Sequence, residues 1–126
     1  MPSRPRGWPS RGERGAATAE LALGLPLLVA LTAGLVWMLA VGAAQVRVID
    51  ASREAARAVA RGDDVAAAQG LAERIAPEGA RVRVAVGDSE VVVTTTARVS
   101  GPGGVLGALP GLTVTADAVA AVEVES

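Results

Sequence analysis

Apolar and polar positions divide this chain into a long uncharged run and a tail of shorter patterns. No charged residue occurs from Leu21 to Ala44. A run of about 24 residues is long enough to cross a bilayer as a helix, whereas the apolar part of a signal peptide ends after about 7 to 15. The pattern therefore predicts a transmembrane helix over residues 16–45.

The helical pattern continues beyond the predicted membrane segment. Neither Pro nor Gly interrupts residues 45–61, and a stripe of small or apolar residues recurs at steps of three or four: Val46, Ile49, Ser52, Ala56 and Val59. The first helix is therefore expected to run to Arg61. Gly62-Asp63-Asp64 predicts a helix stop followed by a new cap, with a second, shorter helix over Val65–Ala76.

After Pro77 the apolar period changes to two, which is typical of strands. Residues 81–86 alternate, Gly87-Asp88 marks a turn, and residues 90–99 are rich in Val and Thr, so a hairpin is expected. The last run places one apolar set on a single face: Val114, Ala116, Ala118, Ala120, Val122 and Val124. The predicted fold class is α+β, a long N-terminal transmembrane helix continuing into a small domain over 46–126 with a second short helix and a three-stranded antiparallel sheet.

Two loop segments lie between the predicted strands. The glycine-rich stretch 100–104 lacks the spacing of a phosphate-binding loop and is interpreted as a flexible connection. The following segment, Val105–Leu112, is unusually apolar for a loop. It either covers an edge of the sheet or contacts a neighbouring subunit.

Composition excludes most kinds of chemistry. The chain has no cysteine and no histidine, which removes the thiolate nucleophile, the commonest general base and the commonest metal ligands. Trp8 and Trp37 are its only aromatic residues, and the net charge is −1, so neither stacking platforms nor a basic surface for nucleic acid is expected. We predict a protein that is not an enzyme, with no catalytic residues, metal site, cofactor, nucleic-acid partner or small-molecule substrate.

The placement of charge predicts an orientation in the membrane. Ahead of Gly15 lie four arginines and one glutamate, a flank of about +3 that favours a cytoplasmic N-terminus and an extracytoplasmic C-terminal domain. Beyond the membrane segment, Arg53, Arg57 and Arg61 follow each other at steps of four. This stripe is interpreted as a solvated face, with docking to an acidic partner or to lipid headgroups as the alternatives.

One carboxylate lies at the N-terminal end of the apolar run. Glu20 directly precedes Leu21, and an ionisable side chain at the edge of a membrane helix is costly unless it is paired or held at the interface. Thr18 is expected to cap the helix, which would place Glu20 in its first turn, where the helix dipole favours a negative charge. The first 15 residues show no apolar period and are expected to form a disordered basic leader.

The junction between the leader and the apolar run resembles a prepilin-type processing site. Arg14-Gly15-Ala16 is followed by Glu20 as the fifth residue after Gly15. With residues 52–57 and the valine-rich tail, this junction is similar to the tight-adherence (TadE-like) minor pilins of the type IV pilin superfamily. The resemblance implies that a prepilin-type peptidase removes the leader 1–15 after Gly15. It also implies a pilin-like domain, in which the freed Ala16 amine pairs with the Glu20 carboxylate of a neighbouring subunit.

Two functional hypotheses follow from the resemblance and the layout. The first is a minor pilin or pseudopilin, a structural subunit of a Tad/Flp-type pilus or a type IV-related secretion system. It would sit in the cell membrane or pilus and assemble through its apolar helix with other pilin subunits, the pilus assembly machinery and membrane lipid. The alternative is an uncleaved single-pass membrane-anchored adaptor that binds another cell-envelope protein through its sheet. An enzyme, the third class considered, is disfavoured by composition.

Overall fold

The computed structural model describes Ser3, Gly7 and residues 11–103 and 110–123. The elements follow in the order α1 (Arg11–Ala60), α2 (Val65–Ile75), β1 (Arg81–Val86), β2 (Glu90–Val99) and β3 (Leu112–Ala121). This confirms the predicted α+β class, with one long helix, one short helix and a three-stranded antiparallel sheet. The chain divides into two compact units, Met1–Leu35 and Val36–Ser126.

The start of α1 differs from the prediction. The helix begins at Arg11, so Thr18 is an interior residue whose Oγ1 donates to the Arg14 carbonyl oxygen at 2.9 Å. The predicted Thr18 cap is wrong, and so is the predicted disorder of residues 11–15. Arg, Glu and Ala favour helix, and extending an existing helix costs far less than starting one. Apart from Ser3 and Gly7, the first ten residues of the leader lie outside the described part of the chain.

The end of α1 agrees with the predicted stop at Gly62. The Gly62 N–H donates to the Val59 carbonyl at 3.0 Å and the Asp63 N–H to the Ala58 carbonyl at 3.0 Å. This pair of bonds is a Schellman motif, which requires a left-handed residue, and Gly62 has φ +97°. Glycine adopts this conformation without the steric cost that a Cβ imposes.

Both ends of α2 are held by side chains. The Asp64 carboxylate accepts from the Ala67 N–H at 3.2 Å, which confirms the predicted cap. At the other end the Arg47 guanidinium donates to the carbonyls of Ile75 (3.1 Å) and Ala76 (3.4 Å). A cation is favourable there because the last carbonyls of a helix are unpaired and carry the negative end of its dipole.

The sheet has the order β1-β2-β3 with antiparallel pairing throughout. The predicted hairpin is β1-β2, closed by the Gly87 N–H donating to the Glu90 carbonyl at 2.8 Å. Along β3, Val114 and Ala116 are buried while Thr113, Thr115 and Asp117 are exposed, as the alternation predicted. Val124, the last residue of that set, lies outside the described residues, as do residues 105–109 of the predicted apolar segment.

The core lies between one face of the sheet and the part of α1 beyond Ala44. Val91 and Val93 of β2 pack with alanines of α1 and α2, and a second cluster joins Ala44 and Val48 to β2 and β3. The predicted apolar stripe of α1 is wrong at Val46, which is 57% exposed, whereas Val48 is fully buried. Alanine and valine occur on several faces of this helix, so periodicity could not identify the face that the sheet covers.

Ser52 forms a polar contact inside this apolar core. Its Oγ lies 3.0 Å from the Ala116 carbonyl oxygen and 2.7 Å from Thr95 Oγ1, and both Ser52 and Thr95 are completely buried. A hydroxyl carries one proton, so both contacts are satisfied when Ser52 donates to the carbonyl and Thr95 donates to Ser52. Because Thr95 and Ala116 are paired across β2 and β3, this contact fixes α1 over one position of the sheet.

Candidate functional site

The three residues of the predicted site lie close together in sequence on the N-terminal part of α1. Gly15, Ala16 and Glu20 are all helical and all exposed. Ala16 and Glu20 are four residues apart and therefore share one face of the helix, and helical side chains incline towards the N-terminus. The Glu20 carboxylate is thus free to approach another molecule from the face that carries Ala16.

Gly15 has no steric role in this fold. A Cβ built at this position meets no atom within 4 Å, and Gly15 is not among the glycines with positive φ. A glycine inside a helix costs about 1 kcal/mol relative to alanine, so the fold alone would favour another residue here.

The bond between Gly15 and Ala16 lies near the end of the helix. Only Arg11 to Arg14 precede Gly15 in α1, about one turn. Helix termini open at far lower free energy than the helix interior, so this bond can be exposed without disturbing the rest of α1. Hydrolysis of this bond would convert the Ala16 amide nitrogen into a positively charged amine, on the same helix face as Glu20.

Most of the apolar run that follows Glu20 is exposed. Its leucines, Val29, Val36 and Met38 are 56% to 78% exposed, and the consecutive residues Leu27, Leu28 and Val29 are among them, whereas Trp37 and Val41 are half-buried. The helix is long and apolar enough to cross a membrane. A helix that is apolar all round belongs either in a protein core or in a bilayer, and this one is not covered by protein. This part of α1 has the properties of a membrane anchor.

The arginine stripe is only partly neutralised. Arg57 pairs with Glu54 at 2.6 Å, as the i−3 spacing predicts, and Arg61 pairs with Asp63 at 3.1 Å. Exposed ion pairs contribute about 0 to 1 kcal/mol, so these two add little stability. Within residues 11–103 and 110–123, Arg53 is the member of the stripe whose charge no ion pair offsets.

Sequence reasoning missed the roles of Arg47 and Ser52. Arg47 holds the end of α2, and no local pattern predicts this contact because it joins residues 28 positions apart. Ser52 was counted as a member of the apolar stripe. A serine in such a stripe is itself a signal, because a buried hydroxyl requires a partner. In the part of the chain that the structure describes, no group of three acidic residues is placed to hold a metal ion.

The comparisons with known proteins bear on residues 15–57, about a third of the chain. The sequence model of the family described as TadE-like protein matches residues 15–57, from Gly15 to Arg57. The predicted TadE-like resemblance is thus confirmed over these residues. No curated protein and no solved structure matches the chain. The match includes Gly15, Ala16, Glu20 and the whole exposed apolar run.

Proposed function

We propose that this chain is a minor pilin or pseudopilin, a structural subunit of a Tad/Flp-type pilus or a type IV-related secretion system. The observation that carries the proposal is the junction at Gly15. Gly15, which has no steric role in the fold, directly precedes Ala16. Both residues lie in the region that matches the TadE-like family, just before the exposed apolar part of α1. A prepilin-type peptidase would remove the leader there and release the Ala16 amine.

Assembly then follows from the chemistry of Glu20. When apolar helices pack in lipid or in a filament, a carboxylate among them is strongly disfavoured unless a positive charge lies beside it. The Ala16 amine of a neighbouring subunit supplies that charge. A subunit in the wrong register leaves both charges unpaired, so the pair favours one helix register. The partners in this scheme are other pilin subunits, the assembly machinery and membrane lipid.

The matched test replaces Glu20 and Glu13, each by alanine. Both residues are exposed and helical, but Glu13 lies in the leader that processing removes. We expect Glu20→Ala to insert into the membrane as well as the wild type, since a charge is deleted, and to be lost from the isolated assembly. Glu13→Ala should assemble normally. Membrane fractionation and quantification of the chain in purified assemblies measure both effects.

Normal assembly of Glu20→Ala would contradict the pairing role. An N-terminus that stays intact in cells containing the peptidase would contradict processing. An unprocessed N-terminus would leave the uncleaved membrane-anchored adaptor as the remaining hypothesis.

A further inference from the structure

One edge of the sheet presents unpaired backbone groups. The Val122 N–H donates to the Ser89 carbonyl at 3.0 Å, on the side of β2, whereas the Thr115 carbonyl accepts from Gln45 Nε2 of α1 at 3.3 Å. The direction of backbone groups alternates along an antiparallel strand. The odd-numbered residues of β3 therefore direct their N–H and C=O groups away from β2.

Residues 117–121 of β3 form an open edge. Among the residues that the structure describes, the outward backbone groups of Asp117, Val119 and Ala121 have no hydrogen-bond partner. The opposite edge is partly closed, because Gln69 of α2 donates to the Val82 carbonyl of β1 at 3.0 Å. Val119, at the centre of the open edge, is 63% exposed. Proteins normally protect such edges with charges, proline or a covering element.

A shallow groove of about 150 Å³ runs between this edge and α1. It is lined by Arg53, Ala56 and Arg57 of α1 and by Ala118, Val119 and Ala120 of β3. The small side chains leave space beside the strand, and Arg53, which forms no ion pair within the described residues, gives its outer rim a positive charge. Asp50 and Glu54 are the acidic residues next to them on α1, and Glu54 is engaged by Arg57.

We propose that the edge 117–121 is a strand-addition site for an extended segment of another protein that carries acidic side chains at alternate positions. Added as a fourth strand, such a segment would pair the six unpaired backbone groups of Asp117, Val119 and Ala121. Alternate side chains of a strand face one side, so every second residue of the segment would face Arg53 and Arg57. Acidic side chains complement these arginines.

A second copy of this chain fits the edge less well. Antiparallel self-pairing centred on Val119 would satisfy the same backbone groups. Such self-pairing would also place Arg53 and Arg57 of one copy beside those of the other, where like charges repel. The proposal concerns only the C-terminal unit, so it stands or falls independently of processing at Gly15.

The test measures binding of a synthetic peptide to the full chain in detergent micelles without anionic lipid. The probe is an end-blocked, fluorescently labelled peptide of sequence Val-Glu-Val-Glu-Val-Glu, and the matched control is Val-Lys-Val-Lys-Val-Lys. We expect saturable binding of the acidic peptide, at least about tenfold tighter than that of the basic one by fluorescence anisotropy.

Two pairs of variants separate backbone pairing from charge. Val119→Pro removes an N–H that points away from β2, so it blocks the edge without removing a bond of the sheet, while Val119→Ala keeps the N–H. Arg53→Glu with Arg57→Glu reverses the charge of the rim, and Arg81→Glu with Arg83→Glu makes the same change on exposed β1. We expect at least about tenfold weaker binding for Val119→Pro and for the double arginine variant, and little change for the two controls.

Three outcomes would overturn the proposal. Equal binding of both peptides would show that the edge does not select acidic segments. Self-association of the wild type that Val119→Pro abolishes would identify a second copy as the occupant. Binding that appears only after residues 105–109 are replaced by a Gly-Ser linker would show that this segment of the chain already covers the edge.

Discussion

Ser52 shows how a single polar residue can determine the arrangement of an otherwise uniform core. The core consists almost entirely of alanine and valine, whose side chains fit many positions against a sheet. The hydroxyls of Ser52 and Thr95 are satisfied only when α1 lies directly over the Thr95–Ala116 pair. A shift of α1 would leave buried polar groups without partners, at a cost of about 1 to 3 kcal/mol for each group.

We predict that removing both members of this contact costs less than the sum of the losses from removing each alone. Ser52→Ala should destabilise the chain by about 1 to 3 kcal/mol, because the Thr95 hydroxyl stays buried without its partner. The double variant with Thr95→Val should lose less than the sum of the two single changes. Chemical denaturation of the four proteins in detergent measures this double-mutant cycle. Additive losses would show that the two hydroxyls do not depend on each other.

At the scale of elements, the helices and strands follow from local sequence signals. Gly62 ends α1, Asp64 begins α2, and alternation along residues 112–122 defines β3 and its buried face. These signals act within a few residues, so the sequence alone was sufficient to predict these helix ends and this strand. The start of α1 at Arg11 and the burial of Val48 in place of Val46 depend on helix propagation and on contacts distant in sequence, which periodicity does not contain.

Gly62 provides a prediction about the connection between α1 and α2. Gly62→Ala should destabilise the C-terminal unit by about 1 to 2 kcal/mol, because φ +97° places a Cβ against the backbone. Gly70→Ala is the matched control, since Gly70 is helical and a Cβ there makes only an ordinary contact of 3.8 Å with Arg74. The control should be neutral or stabilising. Thermal unfolding followed by circular dichroism compares them, and equal effects would contradict the account of this helix end.

At the scale of the whole molecule, the sequence predicted the processing site at Gly15 but not the open edge of the sheet. The spacing of Gly15, Ala16 and Glu20 and the uncharged run behind them were evident from the sequence, and the TadE-like match covers both. The open edge of β3 was not predicted. It depends on the strand order of the sheet and on the position of α1 beside β3, and neither is encoded in a local pattern.

The absence of native cysteine gives a direct test of orientation. A single Ser89→Cys replacement lies at the exposed turn between β1 and β2, in a chain with no other thiol. Because the basic flank lies before Gly15, we expect a membrane-impermeant maleimide that reaches the outer face of the membrane to label Cys at position 89 without lysis. Ser3→Cys, placed in a chain whose processing is blocked, should react only after lysis. The reverse pattern would mean that the C-terminal unit is cytoplasmic.

The central claim is cleavage between Gly15 and Ala16, and the N-terminal sequence of the chain from isolated membranes tests it most directly. Cells containing a prepilin-type peptidase should yield a mature chain that begins at Ala16, while Gly15→Val should retain the leader. Gly24→Val, a glycine whose added Cβ also meets no neighbour, should be processed normally. A wild-type chain that still begins at Met1 or Pro2, or a Gly15→Val chain that begins at Ala16, would contradict the account.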